Sequence, residues 1–374
     1  MRVLCAPDSF KGTLKAVEVS EAMRRGAIRA GGPFVDVDTC PIADGGEGTL
    51  NALMPALNGQ ILSRPVVGPR GETVTARYGV APELRTGVVE LAEASGLLLV
   101  PPSKQDPTRT TTYGTGQLIA AARDAGCEKV IVCIGGSATN DGGAGLAQAL
   151  GGAFYDSAHR LIEEPLTGGL LERIARVDPP TRLPQILVAC DVDNPLCGPE
   201  GAAATYGPQK GATPRQVELL DRALAHLASI TGGDINTPGY GAAGGAGYGL
   251  AVMCGAMLRP GIEIVLDAVR FEERCAAADL VLTGEGRLDA QSIRGKACLG
   301  VAAAAGRLGI ETFAIIGRTA PGSAEFFCSG SDGPFGDCLS LTDRFGEERA
   351  LNEPVPLISE LAEEIVRNWL ALHR

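Results

Sequence analysis

The fold is decided by a strand and turn that read VIVCI over residues 130–134 and GGSATNDGG over residues 135–143. A short apolar run, then a turn rich in Gly, Asp, Asn and Ser, then helical periodicity is typical of a parallel strand with its crossover helix. The unit occurs six times, with apolar runs at residues 3–6, 35–43, 130–134, 186–190, 280–283 and 313–316. This alternation predicts an α/β protein with a mainly parallel sheet.

The domain organisation follows from one stretch that interrupts the alternation. Residues 64–100 read as short strands joined by turns, which is typical of antiparallel ribbon. The alternation resumes after the Arg-Pro-Gly sequence at residues 259–261. We therefore predict a discontinuous Rossmann-like domain with a parallel sheet and an inserted mixed α/β domain. Their predicted bounds are residues 1–62 with 270–374, and residues 63–269.

Composition and charge exclude several classes of protein. The chain has 374 residues, 33 basic and 44 acidic side chains, and a net charge of −11. This balance disfavours nucleic acid and anionic lipid as partners, because both are bound through clustered Lys and Arg. The first apolar run is too short for a signal peptide, so we predict a cytoplasmic protein. Its eleven cysteines are expected to be reduced thiols, and its three histidines have no zinc-ligand spacing.

Two familiar nucleotide motifs can be tested against the sequence. The pair Gly295-Lys296 is followed by Ala297 instead of Ser or Thr, so it does not form a Walker A loop. A Gly-x-Gly-x-x-Gly string lies at residues 239–244, but it follows a turn-like segment where a dinucleotide fingerprint requires a strand. Neither motif therefore identifies a nucleotide site.

Glycine is abundant beside acidic and amide side chains, with 51 residues in the chain. Glycine turns let backbone N–H groups converge on an anion, and a helix that begins after such a turn adds its positive end. An acidic protein that binds phosphate needs such dipoles, a few cations and a metal. The candidate cations are Lys11, Lys210, Arg287, Lys296 and Arg318. The candidate carboxylates are Asp8, Asp44, Glu47, Asp141, Asp191, Asp193, Glu285 and Asp289.

Eight short strings occur in order along the chain, at residues 6–12, 43–49, 112–116, 135–143, 189–196, 206–213, 283–289 and 295–296. Together they resemble the glycerate kinase type 1 family. The chain departs from the family pattern at Tyr206, where Phe is usual, and at Ala297, where Thr is common. The resemblance implies phosphorylation of D-glycerate by ATP with Mg²⁺, in a cleft between two α/β domains. It favours the 2-phospho product and leaves the 3-phospho product and a homodimer open.

Within this reading, roles can be assigned to single residues. Asp191 follows the strand at residues 186–190, so we expect it to orient or deprotonate the attacking hydroxyl, with Lys11 and Asp8 as further catalytic residues. The predicted substrate contacts are Ser9, Asp44, Lys210, Arg287 and Asp289. The predicted nucleotide contacts are Gly135, Gly136, Ser137, Asn140, Asp141, Gly284, Glu285 and Lys296. Asp141 and Asp191 are the predicted metal ligands.

Two other functions are compatible with an α/β sheet. One is a nicotinamide-dependent hydroxy-acid dehydrogenase, supported only by the glycine string at residues 239–244. The other is a regulator that binds a sugar acid or a nucleotide without catalysis. The sequence lacks the basic patch that a DNA-binding regulator would carry. Fold class alone separates none of these functions.

Overall fold

A computed structural model describes residues 1–46, 48–288, 297–319 and 333–373. Its strands are β1 (Arg2–Cys5), β2 (Asp36–Thr39), β3 (Gln60–Val67), β4 (Thr73–Ala81), β5 (Thr86–Glu90), β6 (Lys129–Cys133), β7 (Ala153–Tyr155), β8 (Arg176–Asp178), β9 (Gln185–Ala189), β10 (Met257–Arg259), β11 (Leu280–Leu288), β12 (Thr312–Thr319) and β13 (Asp337–Ser340). All six predicted strands are present.

The α-helices alternate with these strands along the chain. They are α1 (Ala16–Gly31), α2 (Thr49–Ala56), α3 (Ala92–Ser95), α4 (Tyr113–Asp124), α5 (Ala144–Ala149), α6 (Ala202–Tyr206), α7 (Pro214–Thr231), α8 (Ala242–Tyr248), α9 (Gly261–Ala268), α10 (Phe271–Cys275), α11 (Ala297–Arg307), α12 (Leu341–Phe345), α13 (Glu347–Asn352) and α14 (Pro354–Leu372). In the described parts of the chain, no helix combines the length and the apolar character that crossing a bilayer requires.

The chain divides into two compact units. The first unit comprises residues 1–44 and 262–374, and the second comprises residues 45–261. Our sequence boundaries at residues 62 and 270 lie later than these. Helix α2 precedes the antiparallel strands but packs on β3, β4 and β5, which places it in the second unit. Ile262 lies beside Gly300 of α11, which places α9 from Ile262 onward in the first unit.

The first unit is a parallel sheet of five strands in the order β13-β12-β11-β1-β2. Alternate residues of its strands are buried on opposite faces: Ile315 of β12 packs in the core formed with α1 and α14, and Ala314 and Ile316 pack with α11. Helices therefore cover both faces, as in a Rossmann-like fold. Apolar side chains recur every four residues along α14, at Leu357, Leu361, Ile365 and Trp369, and this spacing predicts one face packed in a core. The prediction is confirmed, since the first three are buried in this core and Trp369 packs against it.

The second unit is built on a mixed sheet of six strands in the order β10-β9-β6-β5-β4-β3. Strands β3, β4 and β5 are antiparallel, which confirms the predicted ribbon, and β5 then pairs parallel with β6. The remaining pairs, β6 with β9 and β9 with β10, are also parallel. A separate ribbon joins β7 to β8. The glycine string at residues 239–244 leads from a turn into α8, so it does not have the strand context of a dinucleotide fingerprint.

The packing of α1 against α14 in the first unit depends on Gly26 of α1. A Cβ added there would lie 2.1 Å from the carbonyl oxygen of Ser359 and 2.8 Å from Cβ of Ala362, both in α14. Since neither atom belongs to a flexible side-chain end, the helices would have to move apart. Gly26 therefore sets the distance between α1 and α14.

We expect Gly26→Ala to lower the free energy of unfolding by about 2 kcal/mol, because overpacking outweighs the better helix propensity of alanine. Gly306→Ala in α11 is the matched control, because a Cβ there meets no atom within 4 Å. It should raise stability by about 0.5 to 1 kcal/mol. Urea unfolding followed through Trp369, the chain's single tryptophan, reports on this unit. Equal stabilities of the two variants would contradict the packing argument.

Candidate functional site

The first unit contains a cavity of about 450 Å³ at the carboxyl ends of its strands. It brings together six of the predicted site residues: Asp8, Ser9, Lys11, Asp44, Glu285 and Arg287. The loop after β1 is aligned with β11 because the N–H of Asp8 donates to the carbonyl of Gly284 over 2.8 Å. The cavity therefore lies where the topology of a parallel sheet places ligands.

Asp8 is one of two buried acidic residues of this cavity, with 8% of its surface exposed, and Glu285 is the other. The pKa of its carboxyl group is raised to about 6, mainly by burial and in addition by the negative charge of Asp44. The Ser9 backbone N–H, which donates to Oδ1 over 2.5 Å, and the charge of Lys11 oppose that shift only in part. The cavity thus holds a carboxylate whose charge is incompletely compensated.

Basic side chains surround this acidic group. Nζ of Lys11 lies 3.5 Å from Oδ2 of Asp44, and Asp44 is the main cause of the raised pKa of Lys11. Arg287 and Arg318 are register partners on the adjacent strands β11 and β12, and both line the cavity. Lys11, Arg287 and Arg318 give the cavity three cations beside the four carboxylates of Asp8, Asp44, Glu285 and Glu347.

The second unit contains a separate cavity of about 310 Å³. Gly135, Gly136, Ser137, Asp191 and Lys210 of the predicted set line it. The turn after β6 supplies the first three, the turn after β9 supplies Asp191, and the 3-10 helix Pro208–Lys210 supplies the lysine. Its other walls include Tyr206, Ala242 and Ala243.

Lys210 is almost completely buried, with 2% of its surface exposed. Its Nζ donates to Oγ of Ser137 over 2.8 Å and to the carbonyl of Thr139 over 2.7 Å. Removal from water lowers the pKa of this amine to about 7, and the charge of Asp141 acts in the opposite direction. A bound anion would raise this pKa again, because it favours the charged amine.

Asp191 is exposed and is held by a backbone contact. Its Oδ1 accepts the N–H of Gly261 over 2.8 Å, where α9 begins. This hydrogen bond fixes the orientation of the carboxylate in the cavity wall.

Asp141 has a different position from the one its predicted roles require. It is fully buried, and its carboxylate accepts hydrogen bonds from the N–H groups of Thr112, Gly143 and Gly145 and from the hydroxyl of Thr112. Burial raises its pKa, and these four bonds oppose that shift. The carboxylate thus occupies the N-terminus of α5, where the sequence analysis placed a phosphate. Because its carboxylate oxygens already accept these hydrogen bonds, Asp141 stabilises the conformation of the glycine turn.

Two further predicted contacts also lie behind the cavity walls. Asn140 is fully buried, and neither its amide nitrogen nor its amide oxygen has a partner among the described residues. Gly284 lies within β11, where a Cβ would stand 2.3 Å from the carbonyl oxygen of Ile315. Its lack of a side chain therefore serves the packing of adjacent strands.

The remaining predicted residues are Glu47, Asp289 and Lys296, which lie outside the described residues. The grouping of the others also differs from the prediction. Lys210, predicted with the substrate contacts, shares a cavity with the glycine turn predicted for the nucleotide. Glu285, predicted for the nucleotide, lies with the substrate contacts Asp8 and Asp44.

Sequence reasoning also missed several residues of the cavity walls. In the first unit these are Thr342, Glu347, Ala350 and Leu351. They belong to α12 and α13, which carry no recognisable motif, and only the tertiary structure assigns them to the cavity. In the second unit Tyr206 and Gln209 line the cavity, and both lie in the string at residues 206–213 that contributed to the family resemblance.

The first-unit cavity has the chemistry to hold a divalent cation. Asp8 and Asp44 supply carboxylate oxygens, the ligand type that Mg²⁺ prefers, and each raises the energy of the other's negative charge. A cation would relieve this repulsion. No cluster of three or more His, Cys, Asp or Glu side chains with metal-binding geometry occurs in the described ranges. One or two carboxylates are sufficient for Mg²⁺, because it retains several waters.

Comparison with known proteins gives one consistent family. A model described as the glycerate kinase family matches residues 3–370. A glycerate kinase from Bacillus subtilis (strain 168) is 46% identical over 345 residues, 90% of each chain. A glycerate 2-kinase from Escherichia coli (strain K12) is 45% identical over 312 residues, 81% of each chain. Among solved structures, a glycerate kinase 2 from Salmonella typhimurium LT2 matches with a TM-score of 0.87 and 42% identity, covering 100% of this chain and 99% of the other.

The raised pKa of Asp8 makes stability depend on pH. The folded protein binds a proton at Asp8 more tightly than the unfolded chain does. This proton therefore contributes fully to the free energy of unfolding below about pH 4, and its contribution is lost as the pH rises through about 6. Because asparagine does not titrate, Asp8→Asn removes this pH-dependent loss of stability. We expect the stability of the variant relative to the original protein to increase by about 2 to 3 kcal/mol between pH 4 and pH 8.

Urea unfolding in EDTA, followed through Trp369, measures this difference at each pH. The pH 4 measurement serves as the control, because Asp8 is largely protonated there in the folded protein. Stability curves that stay parallel from pH 4 to pH 8 would contradict the assigned pKa shift.

Proposed function

Because the chain belongs to the glycerate kinase family, a family of phosphotransferases, we propose that it transfers the γ-phosphoryl group of ATP to the 2-hydroxyl of D-glycerate. The products are ADP and 2-phospho-D-glycerate. The observation that carries this proposal is the combination of three cations and four carboxylates in the first-unit cavity. A magnesium–triphosphate complex requires both kinds of group.

We assign the phosphates of the nucleotide to the first-unit cavity. Lys11, Arg287 and Arg318 can neutralise the several negative charges of a triphosphate, and the guanidinium groups can bind its oxygens with two parallel hydrogen bonds. Asp8 and Asp44 would hold Mg²⁺, which when bound offsets the charge on the transferring phosphoryl group. The glycine turn at residues 135–143 is less suitable for this purpose, because Asp141 already fills the helix terminus there.

Glycerate is assigned to the second-unit cavity. The acid is small and carries a single negative charge, which matches a smaller cavity with one buried cation. Lys210 would bind the carboxylate, and the turn at Gly135 and Gly136 lets the backbone approach the ligand closely. Anion binding then keeps Lys210 protonated at neutral pH, although burial lowers its pKa to about 7 in the free protein.

Asp191 is the residue we assign to the acceptor hydroxyl. Its carboxylate faces the same cavity as Lys210 and is oriented by the N–H of Gly261. From that position it would accept the hydrogen bond of the 2-hydroxyl, align the oxygen for attack and take its proton during transfer. The choice of the 2-hydroxyl follows the E. coli relative, a glycerate 2-kinase at 45% identity.

Phosphorus NMR of the reaction with ATP, Mg²⁺ and D-glycerate tests activity and regiochemistry together. We expect a product whose proton-coupled phosphorus signal is a doublet, because a phosphate on the secondary 2-oxygen has one neighbouring C–H. A triplet would identify the 3-phospho product and overturn the proposed position. Reactions without glycerate and with EDTA are the controls, and both should leave ATP unchanged.

Asp191→Asn should lower kcat by about 10² to 10⁴, because the amide cannot accept the proton. We expect the KM for ATP to change less than about twofold, since the nucleotide is assigned to the other cavity. Asp193→Asn is a matched control, because Asp193 is an exposed carboxylate after the same strand and is not among the residues that line the cavity. Steady-state kinetics give kcat and the KM for ATP of each variant. Comparable kcat values for the two variants would remove Asp191 from this role.

A further inference from the structure

We propose that the base of the nucleotide lies against α13, packed on Ala350 and Leu351, so that this helix determines how well the purine ring is held. The proposal rests on the proposed function, which places the phosphates in the first-unit cavity. That function assigns no part of the ligand to the α13 side of the cavity. The α13 residues line the same cavity as Asp8 and Lys11.

The cavity has the length that a nucleotide needs. It extends over the ends of β1, β11 and β12 and reaches the helices that follow β13, and these four strands are neighbours in the sheet. Three strand spacings amount to about 14 Å. This is comparable to an extended nucleoside triphosphate, whereas the triphosphate alone would fill only part of that length.

Polarity changes along the same direction. Asp8 and Lys11 lie after β1. They are followed by Glu285 and Arg287 on β11 and by Arg318 on β12. Nη1 of Arg318 lies 4.0 Å from Oε1 of Glu347, the first residue of α13. Beyond this ion pair the wall is apolar, with Ala350 and Leu351. The cavity therefore has a charged end suited to phosphates and an apolar end suited to a planar ring.

Leu351 is the residue that a ring would cover. It is 59% exposed although it lines the cavity, whereas the adjacent Ala350 is buried. It lies four residues after Glu347, on the same face of α13. Covering this side chain removes apolar surface from water, which favours binding of a ring there. The phosphates gain nothing from it, because they need cations and N–H donors.

Two ligands distinguish the contribution of the base to binding from that of the phosphates. ADP carries the base, and inorganic tripolyphosphate has none. Leu351→Asp should weaken ADP binding about tenfold, because it replaces an apolar contact by a charge. Its affinity for tripolyphosphate should stay within about twofold of the original. Leu351→Ala should shift ADP binding in the same direction by a smaller factor. Isothermal titration with excess Mg²⁺ gives each dissociation constant.

Leu372→Asp is the matched control, since Leu372 is an exposed helical leucine of the same unit outside the cavity, and it should change neither affinity. ADP affinity unchanged in Leu351→Asp, or ADP and tripolyphosphate weakened by the same factor, would overturn the proposal. If the original protein phosphorylates glycerate but Leu351→Asp binds ADP normally, only the base contact is wrong. If the original protein forms no product from ATP, the proposed function fails, and the two titrations still decide the base contact.

Discussion

Each cavity is organised around a charged side chain that folding removes from water. In the first unit this is Asp8, whose pKa rises to about 6, and in the second it is Lys210, whose pKa falls to about 7. Removal of a charge from water is unfavourable unless hydrogen bonds or opposite charges replace the water. The protein supplies these only in part, so both cavities are ready for a ligand that completes the compensation. In the function we propose, Mg²⁺ would do so beside Asp8, and the carboxylate of glycerate would do so beside Lys210.

The buried carboxylate of Asp141 illustrates the opposite arrangement. Three backbone N–H groups and one hydroxyl donate to it, whereas Asp8 accepts the backbone N–H of Ser9. A carboxylate with four donors organises the chain around it and has little reason to bind a ligand. It draws the glycine turn and the start of α5 together, and the carbonyl of Thr139 within that turn accepts a hydrogen bond from Lys210. Asp141 thus acts on the second cavity by positioning its wall.

The two cavities differ in ways that match the two substrates of a kinase. The larger one combines cations and carboxylates at one end with an apolar wall at the other, which suits a long, highly charged ligand with an aromatic ring. The smaller one offers a single buried amine, a glycine turn and a fixed carboxylate, which suits a small hydroxy acid. In both units the cavity lies at the carboxyl ends of strands, because parallel strands bring successive turns to one edge of a sheet.

The sequence alone determined the repeated strand and turn units, the antiparallel ribbon, the final helix and the family, because each depends on residues that are close together along the chain. The tertiary structure decided what each polar residue does. A turn aspartate such as Asp141 and one such as Asp191 look alike in sequence, but the former is enclosed by donors and the latter faces a cavity. The unit boundaries, the assignment of Lys11 and Lys210 to different cavities, and the place of Leu351 in a cavity wall likewise depend on which distant segments meet. Burial and hydrogen-bond partners are properties of the packed chain, and no local pattern encodes them.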